Sequence, residues 1–167
     1  MIHVVLISQN REAEEILKTV RRLFGPLPNF LSLTFPSSTS VKEMQVELKK
    51  TLKRIGSKNS VLVLVDFFGS TQCNICVPSI KKNHVEVISG FNLAMVAKLA
   101  SVYNTMPFSK LGPYIAAYGR ERIFHITNPS QKVVAEEVQV HNLLEKTQEF
   151  LGDMFAWVRQ FPKHLKL

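Results

Sequence analysis

Asp66 is the residue whose position in the sequence best suits it to chemistry. It follows an apolar run at residues 61–65 and precedes a glycine turn at residues 67–71. A strand that is apolar on both faces is typical of a parallel sheet covered by helices. Such sheets place their ligand and catalytic groups just beyond the carboxyl ends of the strands. The sequence therefore predicts a functional crevice with Asp66 at its edge.

Two further predicted strands end in polar residues that would reach the same edge. Residues 3–7 lead into the polar triplet 8–10, and residues 85–88 lead into the segment 89–92. Because the carboxyl ends of parallel strands meet at one edge, we expect three strand ends to share one crevice. The predicted crevice consists of Ser8, Gln9, Asn10, Asp66, Phe68, Gly69, Ser70, Thr71, Ser89 and Asn92.

The elements that would position these residues alternate between strand and helix. A first helix is predicted from Asn10, and a second helix is predicted from the capping box of Ser40 and Glu43. Buried strands between such helices predict an α/β fold with a doubly wound, mostly parallel sheet and helices on both faces. Residues 103–113 contain two prolines and a glycine, which predict a broken or short-helical connection.

The strand ends resemble motifs of the mannose-type enzyme IIA domain of the bacterial phosphoenolpyruvate-dependent sugar phosphotransferase system. In that family the first strand ends in Ser/Thr-His-Gly, the third in Asp-Leu-Phe-Gly-Gly-Ser-Pro-x-Asn, and the fourth in Thr-Gly-x-Asn-Leu-Pro-Met. The resemblance covers residues 1–123, and residues 117–121 are similar to the family's Ala-Gly-Arg-Glu stretch. The matching residues are Asp66, Phe68, Gly69, Asn74, Gly90, Asn92, Leu93 and Met95.

One departure from the family pattern decides the functional interpretation, because Gln9 stands where the family has its phosphorylated histidine. An imidazole nitrogen can act as a nucleophile, whereas the nitrogen lone pair of a glutamine amide is delocalised into the carbonyl. In the family, the aspartate that matches Asp66 orients the histidine ring, so this chain would keep the aspartate and lack the ring. Further departures around the crevice are Asn10, Ser70, Thr71, Gln72 and Ala94.

None of the other histidines is expected to take over this role. His3 and His84 lie at strand starts, which places them at the opposite edge of the sheet, roughly 17–20 Å away. His125, His141 and His164 lie outside the region of resemblance. The resemblance also implies a last strand at residues 123–126 that runs antiparallel and exchanges between the subunits of a homodimer.

Three functional hypotheses follow. The first is a degenerate pseudo-IIA protein without an intact catalytic residue, which binds or regulates a protein partner such as the histidine-phosphorylated carrier protein. The second is an active phosphocarrier that uses another residue such as Asp66, although residues 8–10 lack the acidic pair that would hold a metal ion for that chemistry. The third is an assembly module that acts through a C-terminal helix. No cofactor and no metal ion is predicted.

Residues 129–167 are predicted to extend a IIA-like domain at residues 1–128. Apolar residues in this extension recur at helical spacing, which predicts one long helix with a wide apolar face. This face would pack on the sheet or on a second subunit, or it would dock a protein partner.

Length and charge restrict the function further. The 167 residues carry a formal net charge of +8, and residues 1–123 hold 16 of the 21 Lys and Arg against eight of the 13 Asp and Glu. We interpret the excess as solvated helix faces, or else as a surface for an acidic protein. Nucleic acid is not expected, because no aromatic interleaving or recognition motif accompanies the basic residues. Without a signal sequence or a membrane-spanning apolar run, the sequence predicts a cytoplasmic protein with no integral membrane segment.

Cys73 and Cys76 form a Cys-x-x-Cys pair at the start of a predicted helix. The same local context occurs in thioredoxin-like redox sites. A zinc site would need two further ligands beyond this pair. Because the preceding segment is accounted for by the IIA resemblance, two reduced thiols packed under the helix are the preferred interpretation over redox chemistry.

Overall fold

The computed structural model describes residues 1–127, where strands and helices alternate along most of the chain. The strands are β1 (Ile2–Ser8), β2 (Phe30–Thr34), β3 (Ser60–Val65) and β4 (Val85–Ser89). The helices are α1 (Glu12–Phe24), α2 (Val41–Ile55), α3 (Thr71–Cys76), α4 (Leu93–Val102) and α5 (Phe108–Glu121). A single 3-10 turn at Val77–Ser79 follows α3.

The four strands form one parallel sheet in the order β2-β1-β3-β4. The central strands lie in direct register, with Val5 beside Val63 and Val63 beside Val87. β1 and β3 are buried over nearly their whole length, which explains why their sequences are apolar at consecutive positions. The predicted α/β fold with a mostly parallel sheet is confirmed.

Helices cover both faces of this sheet. Helices α1, α4 and α5 pack on one face, and α2 and α3 pack on the other. Successive strand residues point to opposite faces, so each strand contributes to two separate apolar clusters. The first cluster includes Leu6, Leu17, Leu64, Leu99 and Ile115. The second cluster includes Ile7, Met44, Leu48, Val63 and Cys76.

The start of α2 has the capping box that the sequence predicts. The Ser40 hydroxyl accepts the backbone N–H of Glu43 at 3.3 Å, and the Glu43 carboxylate accepts the backbone N–H of Ser40 at 2.8 Å. Hydrogen bonds from the side chain and the backbone of Ser40 lower the pKa of Glu43. At the other end of α2, Gly56 has a φ of 86°, which suits glycine because it has no Cβ.

The connection predicted at residues 103–113 is shorter in the structure. Helix α4 ends at Val102, and α5 begins at Phe108 and continues through Pro113. Leu111 and Ile115 of α5 are fully buried in the first apolar cluster. Burial of such side chains gives about 1.5–3 kcal/mol each, which offsets the cost of about 3 kcal/mol for a proline inside a helix.

Residues 123–126, where the sequence predicts a last strand exchanged between subunits, have no strand structure within the single chain, and the exchange stays a prediction. Ile123, Phe124 and Ile126 are 78%, 69% and 56% exposed. A strand needs a neighbour to pair its backbone groups. The predicted domain boundary after residue 128 and the long C-terminal helix lie outside the described residues.

None of the helices within residues 1–127 has the length and apolar character needed to cross a membrane.

Two glycines of α5 allow a matched test of its packing. A Cβ at Gly119 would overlap the Met95 side chain, which is only 3% exposed, whereas a Cβ at Gly112 would overlap the carboxylate end of Glu86. Both changes to alanine improve helix propensity by up to about 1 kcal/mol. We expect Gly119→Ala to lower the free energy of unfolding by about 1–3 kcal/mol because Met95 cannot move away freely. Gly112→Ala should be neutral or stabilising, because the end of Glu86 can rotate aside.

Urea unfolding followed by circular dichroism measures both variants against the wild type. Equal effects of the two substitutions would contradict this description of the α4–α5 contact.

Candidate functional site

The Asp66 carboxylate joins the loops that follow β1 and β3. Its Oδ2 accepts the backbone N–H of Gln9 at 3.1 Å. Its Oδ1 accepts the backbone N–H of Phe67 at 2.8 Å and lies 3.4 Å from the hydroxyl of Ser70. The backbone N–H of Asp66 itself donates to the carbonyl of Ile7 at 3.1 Å. Both carboxylate oxygens are therefore engaged with the main chain of the two loops.

Ser8 places the loop that carries Gln9. Its side chain is fully buried, and its hydroxyl donates to the carbonyl of Asn10 at 2.7 Å and accepts the backbone N–H of Ala13 at 3.0 Å. The second bond satisfies one of the free N–H groups in the first turn of α1. Ser8 thus fixes the path from β1 into α1 and is not available to a ligand.

Ser70 has the same role after β3. Its hydroxyl donates to the carbonyl of Phe67 at 3.0 Å and accepts the backbone N–H of Cys73 at 3.1 Å, which caps α3. Gln72, buried to 3% exposure, donates from Nε2 to the carbonyl of Phe35 at 3.3 Å and ties α3 to the end of β2. Sequence reasoning identified Gln72 only as a departure from the family and missed this contact, since the sequence does not show which strand end lies beside α3.

Gln9 is held at this edge by its main chain alone. Its side chain is partly buried and makes no hydrogen bond within residues 1–127. The neighbouring Asn10 is exposed, and its backbone N–H and its side-chain amide both donate to Glu12 at 3.1 Å. The amide of Gln9 therefore has no hydrogen bond to give up within the described residues.

The polar residues at the end of β4 mainly hold neighbouring elements in place. Ser89 lies in register with Val65, and its hydroxyl is buried with no hydrogen-bond partner in the described residues. Asn92 accepts the backbone N–H of Met95 at 2.9 Å, which caps α4, and donates to the carbonyl of Gly119 at 3.3 Å. The three strand ends meet at one edge as expected, but Asn92 is committed to holding α4 and α5.

The rim of the site carries exposed aromatic side chains. Phe67 is 57% exposed and Phe68 is 86% exposed, and the next residue, Gly69, has a φ of 82° that favours glycine. Thr71 is exposed on the first turn of α3. Sequence reasoning missed Phe67, although its place in the same turn as Phe68 was a signal that could have identified it.

The Gln9 amide and the exposed Phe67 and Phe68 rings at this edge offer hydrogen bonds and aromatic contact. Within residues 1–127, no group of three or more His, Cys, Asp or Glu side chains is arranged to hold a metal ion. A groove of about 690 Å³ lies elsewhere, between the end of β2 and the first half of α2, where Phe35, Lys42 and Val46 line it. Asp66 does not line that groove.

The Cys-x-x-Cys pair lies under α3 and away from solvent. Cys73 is 5% exposed and Cys76 is fully buried. Burial, with a smaller contribution from Cys73, raises the pKa of Cys76 to about 12, and its thiol donates to the carbonyl of Gln72 at 3.1 Å. A redox-active cysteine needs an accessible thiolate with a lowered pKa. The geometry favours the interpretation as two packed, reduced thiols.

Comparison with known proteins identifies the family. The family model described as EIIA-man, PTS system fructose IIA component, matches residues 3–112. This match covers more than half of the chain, and the chain belongs to the mannose-type enzyme IIA family of the phosphotransferase system.

Individual relatives agree with this assignment. The PTS system mannose-specific EIIAB component of Escherichia coli (strain K12) is 27% identical over 124 residues, which make up 73% of this chain and 38% of that protein. The present chain therefore spans well under half the length of that relative. The PTS system fructose-specific EIIA component of Bacillus subtilis (strain 168) is 24% identical over 103 residues, covering 61% of this chain and 70% of that protein.

Solved structures show the same fold. The mannose/sorbose specific IIA subunit of the phosphotransferase system from Enterococcus faecalis has a TM-score of 0.68 and 27% identity, covering 76% of this chain and 96% of that chain. The phosphotransferase system component EIIA from Streptococcus agalactiae has a TM-score of 0.67 at 21% identity, covering 75% and 97% respectively, and supports the fold alone.

Removing the Asp66 carboxylate tests its place in the fold. Asp66→Ala leaves the backbone N–H of Gln9 and Phe67 without their acceptor, so we expect a loss of about 1–3 kcal/mol in the free energy of unfolding. Asp66→Asn keeps one acceptor oxygen and should lose less. Glu121→Ala, which removes an exposed carboxylate at the end of α5, serves as the control and should change stability by less than about 0.5 kcal/mol.

Urea unfolding curves for the three variants provide the comparison. An Asp66→Ala protein as stable as the Glu121→Ala protein would show that the carboxylate does not hold the two loops together.

Proposed function

We propose that this chain is a phosphotransferase-system IIA-like protein that lacks the phosphoacceptor histidine and acts as a regulatory, partner-binding pseudo-IIA. The observation that carries the proposal is Gln9 at the end of β1, beside Asp66. Phosphoryl transfer through a side chain needs a nucleophilic lone pair, which a glutamine amide does not offer.

The Gln9 amide is better suited to hydrogen-bonding a phosphoryl group on a partner than to accepting that group covalently. The NH₂ group of glutamine provides two hydrogen-bond donors, and phosphoryl oxygens are strong acceptors. A side chain with no hydrogen bond in the described residues can supply those donors without breaking an existing contact. The proposed pseudo-IIA would therefore sense a phosphorylated partner and leave the phosphate on it.

The proposed partner is a histidine-phosphorylated carrier protein or another component of the same phosphotransferase system. The family membership supports this, as do the names of the E. coli and B. subtilis relatives. The exposed Phe67 and Phe68 lie next to Asp66 in the sequence and on the rim of the crevice. Aromatic residues are enriched at the centres of protein interfaces, so this pair would form the contact around the phosphoryl group.

Phosphorylation of Asp66 itself has less support. Both of its oxygens already accept backbone N–H groups, at 3.1 Å from Gln9 and 2.8 Å from Phe67. Phosphoryl transfer to an aspartate also depends on a metal ion held by further acidic groups, and the described residues provide no such cluster.

We further propose that the protein works in the cytoplasm as a homodimer. β4 is an edge strand of the described sheet, and edge strands present unpaired backbone groups. The exposed apolar residues 123–126 have strand-like composition and could supply the pairing from a second copy. Analytical ultracentrifugation of the wild type should give the mass of a dimer, and a monomer at high micromolar concentration would contradict this part of the proposal.

Restoring the histidine tests the central claim. The wild type and Gln9→His are incubated with phosphoenolpyruvate, enzyme I and the carrier protein, and the intact mass of each is measured. We expect Gln9→His to gain one phosphoryl group and the wild type to gain none, because the surrounding loops keep their positions while the nucleophile is supplied. Gln9→Asn, which keeps an amide, should also gain none.

Two further variants test the separate contributions of Phe68 and Asp66 to phosphorylation of Gln9→His. Phe68→Ala in the Gln9→His background should slow the transfer, since it removes the most exposed aromatic contact. Asp66→Asn in the same background should slow it by weakening the orientation of the introduced ring. Phosphorylation of the wild type would overturn the proposal. Phosphorylation of neither protein would show that the partner surface has been lost as well.

A further inference from the structure

A lysine-rich surface lies at the amino edge of the sheet, on the side opposite the Asp66 crevice. Its members are Lys53, Arg54, Lys58, Lys81 and Lys82, which we call the amino-edge patch. All five side chains are exposed, and none makes an ion pair in the described part of the chain. The function proposed for the crevice does not involve them.

Hydrogen bonds bring the two halves of the amino-edge patch together. The first half comes from the last turn of α2 and the loop before β3, and the second half comes from the loop before β4. Val61 donates from its backbone to the carbonyl of His84 at 2.7 Å, and the Ser60 hydroxyl donates to the carbonyl of Asn83 at 3.3 Å. Asn59 in turn donates to the carbonyl of Ile55 at 2.6 Å, which fixes the loop to the end of α2.

The charge of this surface is almost uncompensated. The acidic residues nearest in sequence are Glu47, which pairs with Lys50, and Glu86, whose carboxylate lies beside Gly112 of α5. Exposed charges of one sign on adjoining loops add up to a field that attracts an anionic surface. The amino-edge patch therefore has the electrostatics of a site for a polyanion.

Apolar side chains stand beside these lysines. Val77 is 54% exposed and Ile80 is 50% exposed, and Ile80 directly precedes Lys81 and Lys82. The backbone N–H of Ile80 donates to the carbonyl of Val77 at 3.1 Å, so the two residues form one turn. Basic residues next to exposed aliphatic residues are typical of segments that lie on a membrane, where the charges meet anionic headgroups and the aliphatic side chains enter the interface.

The composition of the patch favours a lipid surface over a macromolecular partner. Protein interfaces are enriched in arginine and aromatic residues and depleted in lysine, whereas this patch has four lysines, one arginine and no aromatic residue. Single-stranded nucleic acid would call for aromatic stacking platforms, which the patch lacks. Lysine is sufficient for an anionic membrane, where each basic residue near the surface contributes about 1 kcal/mol.

We propose that the amino-edge patch, together with Val77 and Ile80, binds peripherally to an anionic phospholipid surface. The crevice at the carboxyl edge then faces away from the membrane, because the two edges are separated by the length of the strands, roughly 17–20 Å. A partner can reach Gln9, Asp66 and Phe68 while the protein stays on the bilayer.

Co-sedimentation of the full chain with vesicles tests the proposal. One set of vesicles contains phosphatidylglycerol and phosphatidylcholine in equal amounts, and the other contains phosphatidylcholine alone. Lys81→Gln with Lys82→Gln is compared with the control pair Lys42→Gln with Arg120→Gln, which removes the same charge from exposed positions at the carboxyl edge. At about 1 kcal/mol per basic residue, the first pair should weaken binding to the anionic vesicles by about 30-fold. The control pair should weaken it by less than about five-fold.

The apolar contribution is tested separately by Ile80→Ser, which should weaken binding to the anionic vesicles several-fold without changing its salt dependence. Raising the salt from about 0.15 M to about 1 M should release the wild type, since the Debye length falls from about 8 Å to about 3 Å. Equal losses in the two charge pairs, equal binding to both kinds of vesicle, or absence of binding would overturn the proposal. A different polyanion is tested on immobilised polyglutamate and duplex DNA. If the wild type binds either of them but not the vesicles, and Lys81→Gln/Lys82→Gln loses that binding, the patch belongs to a macromolecular polyanion. That result would also overturn the proposal.

Discussion

The burial of the sheet on both faces is the constraint on which the rest of the structure depends. Helices cover both sides of β1 and β3, so polar groups are excluded from the strands and collect at their ends. Asp66 lies at one such end, and its carboxylate accepts main-chain N–H groups from the loops after β1 and β3. The site is therefore part of what holds the loops in place.

This arrangement makes the path of the loops independent of the side chain at position 9. The bond between Asp66 and position 9 runs through the backbone N–H of Gln9, so it does not depend on the side chain. Ser8 and Ser70 fix the neighbouring loops through their own backbone contacts. The crevice is consequently expected to keep its shape when the side chain at position 9 is changed.

The sequence was sufficient where local patterns determine the structure. The apolar runs located β1, β3 and β4, and the Ser40–Glu43 box located the start of α2 within one residue. It was insufficient where distant contacts decide. Burial of Leu111 and Ile115 carries α5 through Pro113 against the local preference of proline. The polar residues of the crevice were found from the strand ends. Only the hydrogen bonds show which of them hold the loops and that the Gln9 side chain has no bond in the described residues.

The claim that this protein binds a phosphorylated carrier but does not accept its phosphate is tested most directly by nuclear magnetic resonance on the isotope-labelled wild type. The phosphorylated carrier protein is added while the amide signals of the chain and the phosphohistidine signal of the carrier are followed together. The account predicts shifts at Gln9, Asp66, Phe67 and Phe68 while the phosphohistidine persists for its normal lifetime. Transfer of the phosphate to the chain, or an absence of shifts around Asp66, would contradict it.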